Sequence, residues 1–213
     1  MLNGRWIIAL ILLLAAAGPA KGDTELNAEV GWVSEYVFRG APQTSSSAFA
    51  GLELDSHGWH VGTWIGDVGD GVELNLFGGY VWERNDWSFG IGATGYYYTG
   101  DFDDTYEELN FSLGFRVLSL EYSIGNYANF DGSRQRYDYW SASLEQRGVL
   151  LRFGQFGRDF SGHHVDLGYS FEAAGLDFAI VLTHASSELA DQGGSSDQIL
   201  QFGLSRSFPI GRW

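Results

Sequence analysis

From Leu26 onward, apolar and polar side chains alternate with a period of two. In Leu26–Arg39 the even positions read Leu26, Ala28, Val30, Trp32, Ser34, Tyr36 and Phe38; the odd positions read Asn27, Glu29, Gly31, Val33, Glu35, Val37 and Arg39. Successive side chains of a strand point to opposite faces, so this rhythm predicts a strand with one greasy face and one wet one. The rhythm returns in Ala48–Asp55, Trp59–Gly66, Val72–Trp82, Trp87–Tyr98, Glu107–Arg116, Leu118–Gly125, Tyr137–Glu145, Val149–Phe156, His164–Glu172, Leu176–Thr183 and Ile199–Phe208. The pattern predicts an all-β chain of about twelve antiparallel strands, each roughly eight to fourteen residues and near the length that crosses a bilayer at a tilt. No helix-period segment competes.

The connections alternate as well. Tight turns are expected near Ser56-His57-Gly58 and at Arg84-Asn85-Asp86, Val117, Gln146-Arg147-Gly148 and Ala173-Ala174-Gly175. Longer links are expected at Gly40–Ser47, Thr99–Tyr106, Asn126–Arg136, Gly157–His163 and Ala185–Gln198, with Gly66–Gly71 the shortest of that set. Short turns at one end and longer loops at the other is the layout of outer-membrane barrels, and it puts both termini on the periplasmic side. Pro42 and Pro209 fall outside the predicted strand middles, as a fully paired sheet requires.

Alternation does not by itself say which face is outside. The polar face carries many glycines and charges, without the charged runs that solubilise a surface. A closed ring of twelve strands would also enclose more large apolar side chains than it could pack, since roughly eight strands already fill with side chains. The apolar face is therefore expected in lipid. Gln155 and Arg206 fall on that face near strand ends, where a polar group costs only about 0–1 kcal/mol.

The N-terminus changes the picture in the same direction. Arg5 precedes the twelve-residue apolar run Trp6–Ala17, and small residues follow. This is the pattern of a cleavable export signal over residues 1–20, with cleavage as late as Gly22 also compatible. Residues 23–213 then form a single barrel domain of a Gram-negative outer membrane. The 30 Gly, 8 Trp, 11 Tyr and 15 Phe suit strands and turns, and the absence of Cys removes disulfides and thiolate metal sites. A net charge of −15 argues against nucleic acid as a partner. The expected partners are outer-membrane lipid and lipopolysaccharide, the barrel-assembly machinery during insertion, and small hydrophilic solutes. No cofactor is expected.

The lumen-facing parity collects Glu29, Glu35, Glu53, Asp55, Glu73, Glu108, Glu121, Glu145, Asp166 and Asp177 against Arg39, Arg116, Arg152 and Arg158. Charged side chains in a lumen sort ions by sign. One reading is a narrow, mildly cation-preferring pore; the other is that these charges pair across the lumen and plug it. Arg39 and Glu35 share a face of the first strand and are expected to pair. Aromatic girdles are expected at Trp59, Tyr80, Trp82 and Trp87 at the short-turn end, and at Tyr36, Phe38, Tyr97 and Tyr106 at the loop end.

Other chemistry is weaker. A lipid hydrolase would need a serine beside a histidine base, with Ser161 or Ser186 near His163, His164 or His184, but no nucleophile-elbow glycines surround them. The acidic stretches Asp67–Asp70 and Asp101–Asp104 lack a regular cation-binding spacing. No catalytic role and no metal ligand is assigned. A non-conducting structural or adhesive barrel remains the alternative to a pore.

The opening stretch Trp32-Val33-Ser34-Glu35-Tyr36-Val37-Phe38-Arg39-Gly40, followed by Pro42-Gln43-Thr44, resembles the N-terminal motif of the TorF family of porin-like proteins. Val72–Tyr80 is similar to that family's second recurrent stretch. Ala41-Pro42 departs from the Ile-Ser-like pair usual there, and Pro209–Trp213 runs past the aromatic ending usual for such barrels. The resemblance spans the mature chain in layout and implies a porin-like role in the outer membrane.

Overall fold

In the computed structural model, which describes residues 24–190 and 198–213, the chain forms a closed barrel of twelve antiparallel strands. They are β1 (Glu25–Phe38), β2 (Ala41–Ser56), β3 (Trp59–Asp67), β4 (Val72–Arg84), β5 (Trp87–Tyr98), β6 (Tyr106–Phe115), β7 (Leu118–Tyr127), β8 (Gln135–Gln146), β9 (Val149–Arg158), β10 (His163–Ala173), β11 (Leu176–Ala185) and β12 (Gln198–Arg212). One short helix, α1 (Ser187–Ala190), sits in the link after β11. The export segment expected over residues 1–20 lies outside the described residues.

Each strand pairs with its neighbours in sequence, and β1 closes the ring on β12. At the seam, Thr24 and Trp213 exchange backbone hydrogen bonds of 2.9 and 3.0 Å, and Arg212 donates to Glu25 at 3.1 Å. Closure leaves no free edge, the one way a sheet pairs every backbone group. β12 runs past its expected end at Phe208. Pro209 falls inside it, opposite Asn27 at a register shift, the kind of irregularity where a sheet tolerates proline.

The wall is inverted relative to a soluble barrel. Leu109, Leu167 and Val61 are more than half exposed on the outer face. Many buried positions on the inner face are polar, among them Asn75, Thr94, Asn110, Ser123, Ser141, Thr183 and Gln201. This is the architecture of an outer-membrane barrel. Gln155 and Arg206 are exposed outward as expected, and Arg206 lies 4.9 Å over the Phe208 ring.

The short turns come from paired left-handed residues. His57-Gly58, Arg147-Gly148 and Ala174-Gly175 all have positive φ at both positions, the two-residue geometry whose twist matches the flanking strands. The same geometry corrects one expectation. Gly40–Ser47 is not a long polar link: Arg39 (φ 48°) and Gly40 (φ 84°) make an equally tight turn, and β2 starts at Ala41.

The hairpin of β1 and β2 does not follow the wall to its end. Val33 and Tyr36, three residues apart, are both buried, so the two-residue alternation breaks between them. Opposite that break Ser46 has φ 61°, and the register slips between Tyr36 and Val37. Such irregularities bend and twist a strand locally. Here they turn the tip of the hairpin into the barrel.

Candidate functional site: a charged latch across the lumen

Arg39, at the inward-turned tip, has its guanidinium buried against the far wall. It donates two hydrogen bonds to the Glu108 carboxylate on β6, at 2.5 and 3.0 Å, and a third to the Ser123 hydroxyl on β7 at 3.1 Å. The same group stacks over the Tyr139 ring of β8 at 4.3 Å. β1 and β6 stand almost opposite each other on the ring, so this pair spans the lumen. On the other side the tip rests on β10: a Cβ built on Gly40 would stand 2.6 Å from the Cβ of His164.

Glu108 is held by more than the arginine. The phenols of Tyr96 and Tyr137 donate to it at 3.0 and 2.9 Å, and the Asn110 amide at 3.0 Å. Bidentate arginine–carboxylate geometry with satisfied remaining lone pairs is what a buried ion pair needs to offset its desolvation.

A second network adjoins the first. The His164 imidazole donates through Nδ1 to Asp166 at 3.1 Å, and its Nε2 shares a hydrogen bond with the Tyr139 hydroxyl at 3.0 Å. Thr183 donates to the same carboxylate at 2.9 Å, and Arg152 stands 3.8 Å from it. Tyr139 thus carries Arg39 on its face and His164 on its hydroxyl. Tyrosine and phenylalanine rings fill the mouth above: Tyr106 stacks on Tyr127 at 4.4 Å, and Tyr137 on Phe160 at 4.8 Å.

Below the latch, toward the short-turn end, the inner wall is acidic and less covered. Glu29, Glu53, Asp55, Glu121, Glu145 and Asp177 are half-buried there, with glycines at Gly51, Gly62, Gly79, Gly92 and Gly168 between them. The lumen is therefore an acidic cup closed by a polar and aromatic plug.

Several predicted positions are placed differently. Arg116 sits in the β6–β7 turn with positive φ and pairs with Asp86 at 3.0 Å in solvent; it is not in the lumen. Arg158 ends β9 with φ 68° and turns to Asp138, which shares the outward parity of Trp140. Arg39 pairs with Glu108, not with Glu35, which is half-buried beside the strand break and whose backbone carbonyl accepts from Gln201 at 2.6 Å. Tyr36, Phe38 and Tyr106 are not girdle residues. Tyr36 points inward and donates to Glu73 at 2.9 Å, Phe38 packs 5.6 Å from Tyr96, and Tyr106 donates to Asp103 at 2.8 Å. Of that loop-end set Tyr97 alone is exposed on the outer face. At the other end Trp59, Tyr80 and Trp82 form a continuous outward cluster at 4.9 and 4.5 Å, and Trp87 packs on Phe115 at 4.5 Å.

The residues that complete the latch were not singled out by sequence. Tyr96, Tyr137 and Tyr139 share the lumen parity, but tyrosine suits either face of a strand and carries no charge to flag it. His164 is engaged by Tyr139 and Asp166, and the Ser186 hydroxyl accepts from the backbone N–H of His163.

The family model described as "Bacterial protein of unknown function (Gcw_chp)" matches residues 16–154. The chain belongs to that family. No curated protein sequence matches it. Among solved structures, a chain from work described as "Unveiling the Mechanism Behind the in-meso Crystallization of Membrane Proteins" superposes with a TM-score of 0.59 at 10% identity, covering 87% of this chain and 84% of that one. The OccK1 (OpdK) structure from Pseudomonas aeruginosa gives 0.41 at 16% identity over 89% of this chain and 66% of its own. OccAB2 of Acinetobacter baumannii gives 0.44 at 10% identity over 79% and 56%. The first likeness is one of fold.

Proposed function

We propose that this barrel is a porin-type channel of the outer membrane whose resting state is closed by its own β1–β2 tip, and that it passes small hydrophilic solutes or ions when the tip withdraws. The observation that carries this reading is the inverted wall: an apolar outside around a polar, glycine-lined and acidic inside. A barrel that only anchored itself would need the outside but not the inside. In this reading the short turns and both termini lie in the periplasm, the leader is removed on export, lipopolysaccharide borders the loop end, and the TorF-like opening motif forms the latch. The acids of the cup favour cations.

Planar-bilayer recording of the detergent-purified protein tests it. Rare, cation-preferring openings are expected for the natural chain, and longer ones when Arg39→Ala removes the latch. Anion preference, or silence from both proteins, counts against a channel. Silence would favour a second reading, a non-conducting structural barrel, for which the buried and well-satisfied Arg39–Glu108 pair speaks.

A further inference from the structure

Three carboxylates of the inner wall are almost completely buried: Glu73, Glu108 and Asp166. Two of them have basic side chains beside them. Glu108 holds Arg39, and Asp166 holds His164 with Arg152 beyond it. Glu73 pairs with no basic side chain among the described residues. Its Oε2 accepts from the Tyr36 phenol at 2.9 Å, and its Oε1 from the Asn75 amide nitrogen at 2.8 Å. Both donors are neutral. The other end of that amide, Asn75 Oδ1, is fully buried and has no donor among the described residues. A buried charge without a countercharge and a buried acceptor without a donor are each costly, and the two sit side by side on one face of β4.

We infer that Glu73 and Asn75 form a seat for a partly dehydrated monovalent alkali-metal cation. The chemistry selects among the candidates. A proton on Glu73 would remove the charge but leave Asn75 Oδ1 unserved, because the amide already turns its nitrogen to the carboxylate. A water would serve Asn75 but leave the charge. One cation answers both. The donors are all oxygen, which suits hard ions over transition metals. A single carboxylate neutralises one positive charge. A divalent ion would leave a net charge buried, and calcium takes six to eight oxygens, several of them from carboxylates. The seat lies in the wall beside the plug and does not depend on conduction.

Crystals of the full barrel soaked in rubidium chloride test this directly, since rubidium stands in for potassium and scatters anomalously. A peak between the Glu73 carboxylate and Asn75 Oδ1 is expected, reduced by excess potassium chloride and lost in Glu73→Gln. In detergent, the unfolding midpoint of the natural chain should rise and saturate with potassium chloride relative to N-methyl-D-glucamine chloride at equal ionic strength; Glu73→Gln should not respond. A site that refines as water with no anomalous signal overturns the proposal. So does a protonated-carboxyl infrared band that Glu73→Gln removes, or an equal salt response in both proteins. The rubidium measurement on the natural chain needs no variant to fold. None of these readouts is a conductance, so failure here leaves the channel reading standing, and a silent bilayer leaves the seat standing.

Discussion

Arg39 and Glu108 lie 69 residues apart in the chain and meet across the barrel with both side chains sealed from solvent. Removing one partner of such a buried pair strands the other, which typically costs about 3–5 kcal/mol. Arg39→Ala and Glu108→Ala are each expected to destabilise the detergent-folded barrel by about that amount. The double variant should lose less than the sum of the two, because no orphaned charge remains. Urea titration followed by tryptophan fluorescence reads all three; strict additivity would mean that the pair is not coupled.

Gly40 and Gly175 isolate the inward tip from turn geometry in general. Both have left-handed backbones, at φ 84° and 74°. A Cβ on Gly40 would meet His164, whereas one on Gly175 would meet nothing within 4 Å. Gly175→Ala should cost only the left-handed strain, about 1–2 kcal/mol. Gly40→Ala should cost more, and it should lift the tip from β10. In bilayers, Gly40→Ala should lengthen openings and Gly175→Ala should not. Limited proteolysis at Arg39 is an independent check, with cleavage faster in Gly40→Ala alone.

The outer wall makes a prediction with a sign. Leu109 is 53% exposed on the outer face, and Glu108 beside it faces in. If lipid covers that wall, Leu109→Arg should cost about 2–4 kcal/mol near the bilayer midplane and less toward the rims. In a barrel surrounded by water the same change would be nearly neutral. Refolding yield into lipid vesicles, compared for Leu109→Arg and for Ile210→Arg near the seam, separates the two cases.

The acidic cup predicts how selectivity is distributed. Glu53 and Asp55 are half-buried on the inner face of β2, beside Glu29 of β1. Neutralising both, as Glu53→Gln with Asp55→Asn, should lower the ratio of cation to anion permeability in reversal-potential measurements. Asp86→Asn, at an exposed turn pair, should leave it unchanged. An unchanged ratio in the cup variant would remove the acids from the conduction path.

Much of this fold was legible in the chain. The alternation in Leu118–Gly125 or Leu176–Thr183 reports strand, face and approximate length at once, because side-chain direction along a strand depends only on position parity. The same logic placed Glu29, Glu53, Glu73, Glu108, Glu121, Arg152 and Asp166 on the inner wall and Trp59, Tyr80, Trp82 and Trp87 on the outer one, where they are found. It failed at Tyr36 and Phe38 because parity holds only while the strand is regular. Here the left-handed Ser46 on the paired strand and the register shift between Tyr36 and Val37 mark the irregular stretch. It failed at Arg116 and Arg158 because a residue at a strand end with positive φ leaves the pleat altogether.

What the sequence determined by itself was therefore local and periodic: twelve strands, two faces of opposite character, and tight turns at one end. Those features arise from neighbours along the chain. What only the tertiary structure decided was how the β1–β2 tip leaves the wall, which carboxylate Arg39 reaches, and that Glu73 is buried without a cationic partner among the described residues. The physical reason is distance. Ion pairing and burial depend on groups brought together across a closed ring, and no periodicity along one strand carries information about the wall facing it.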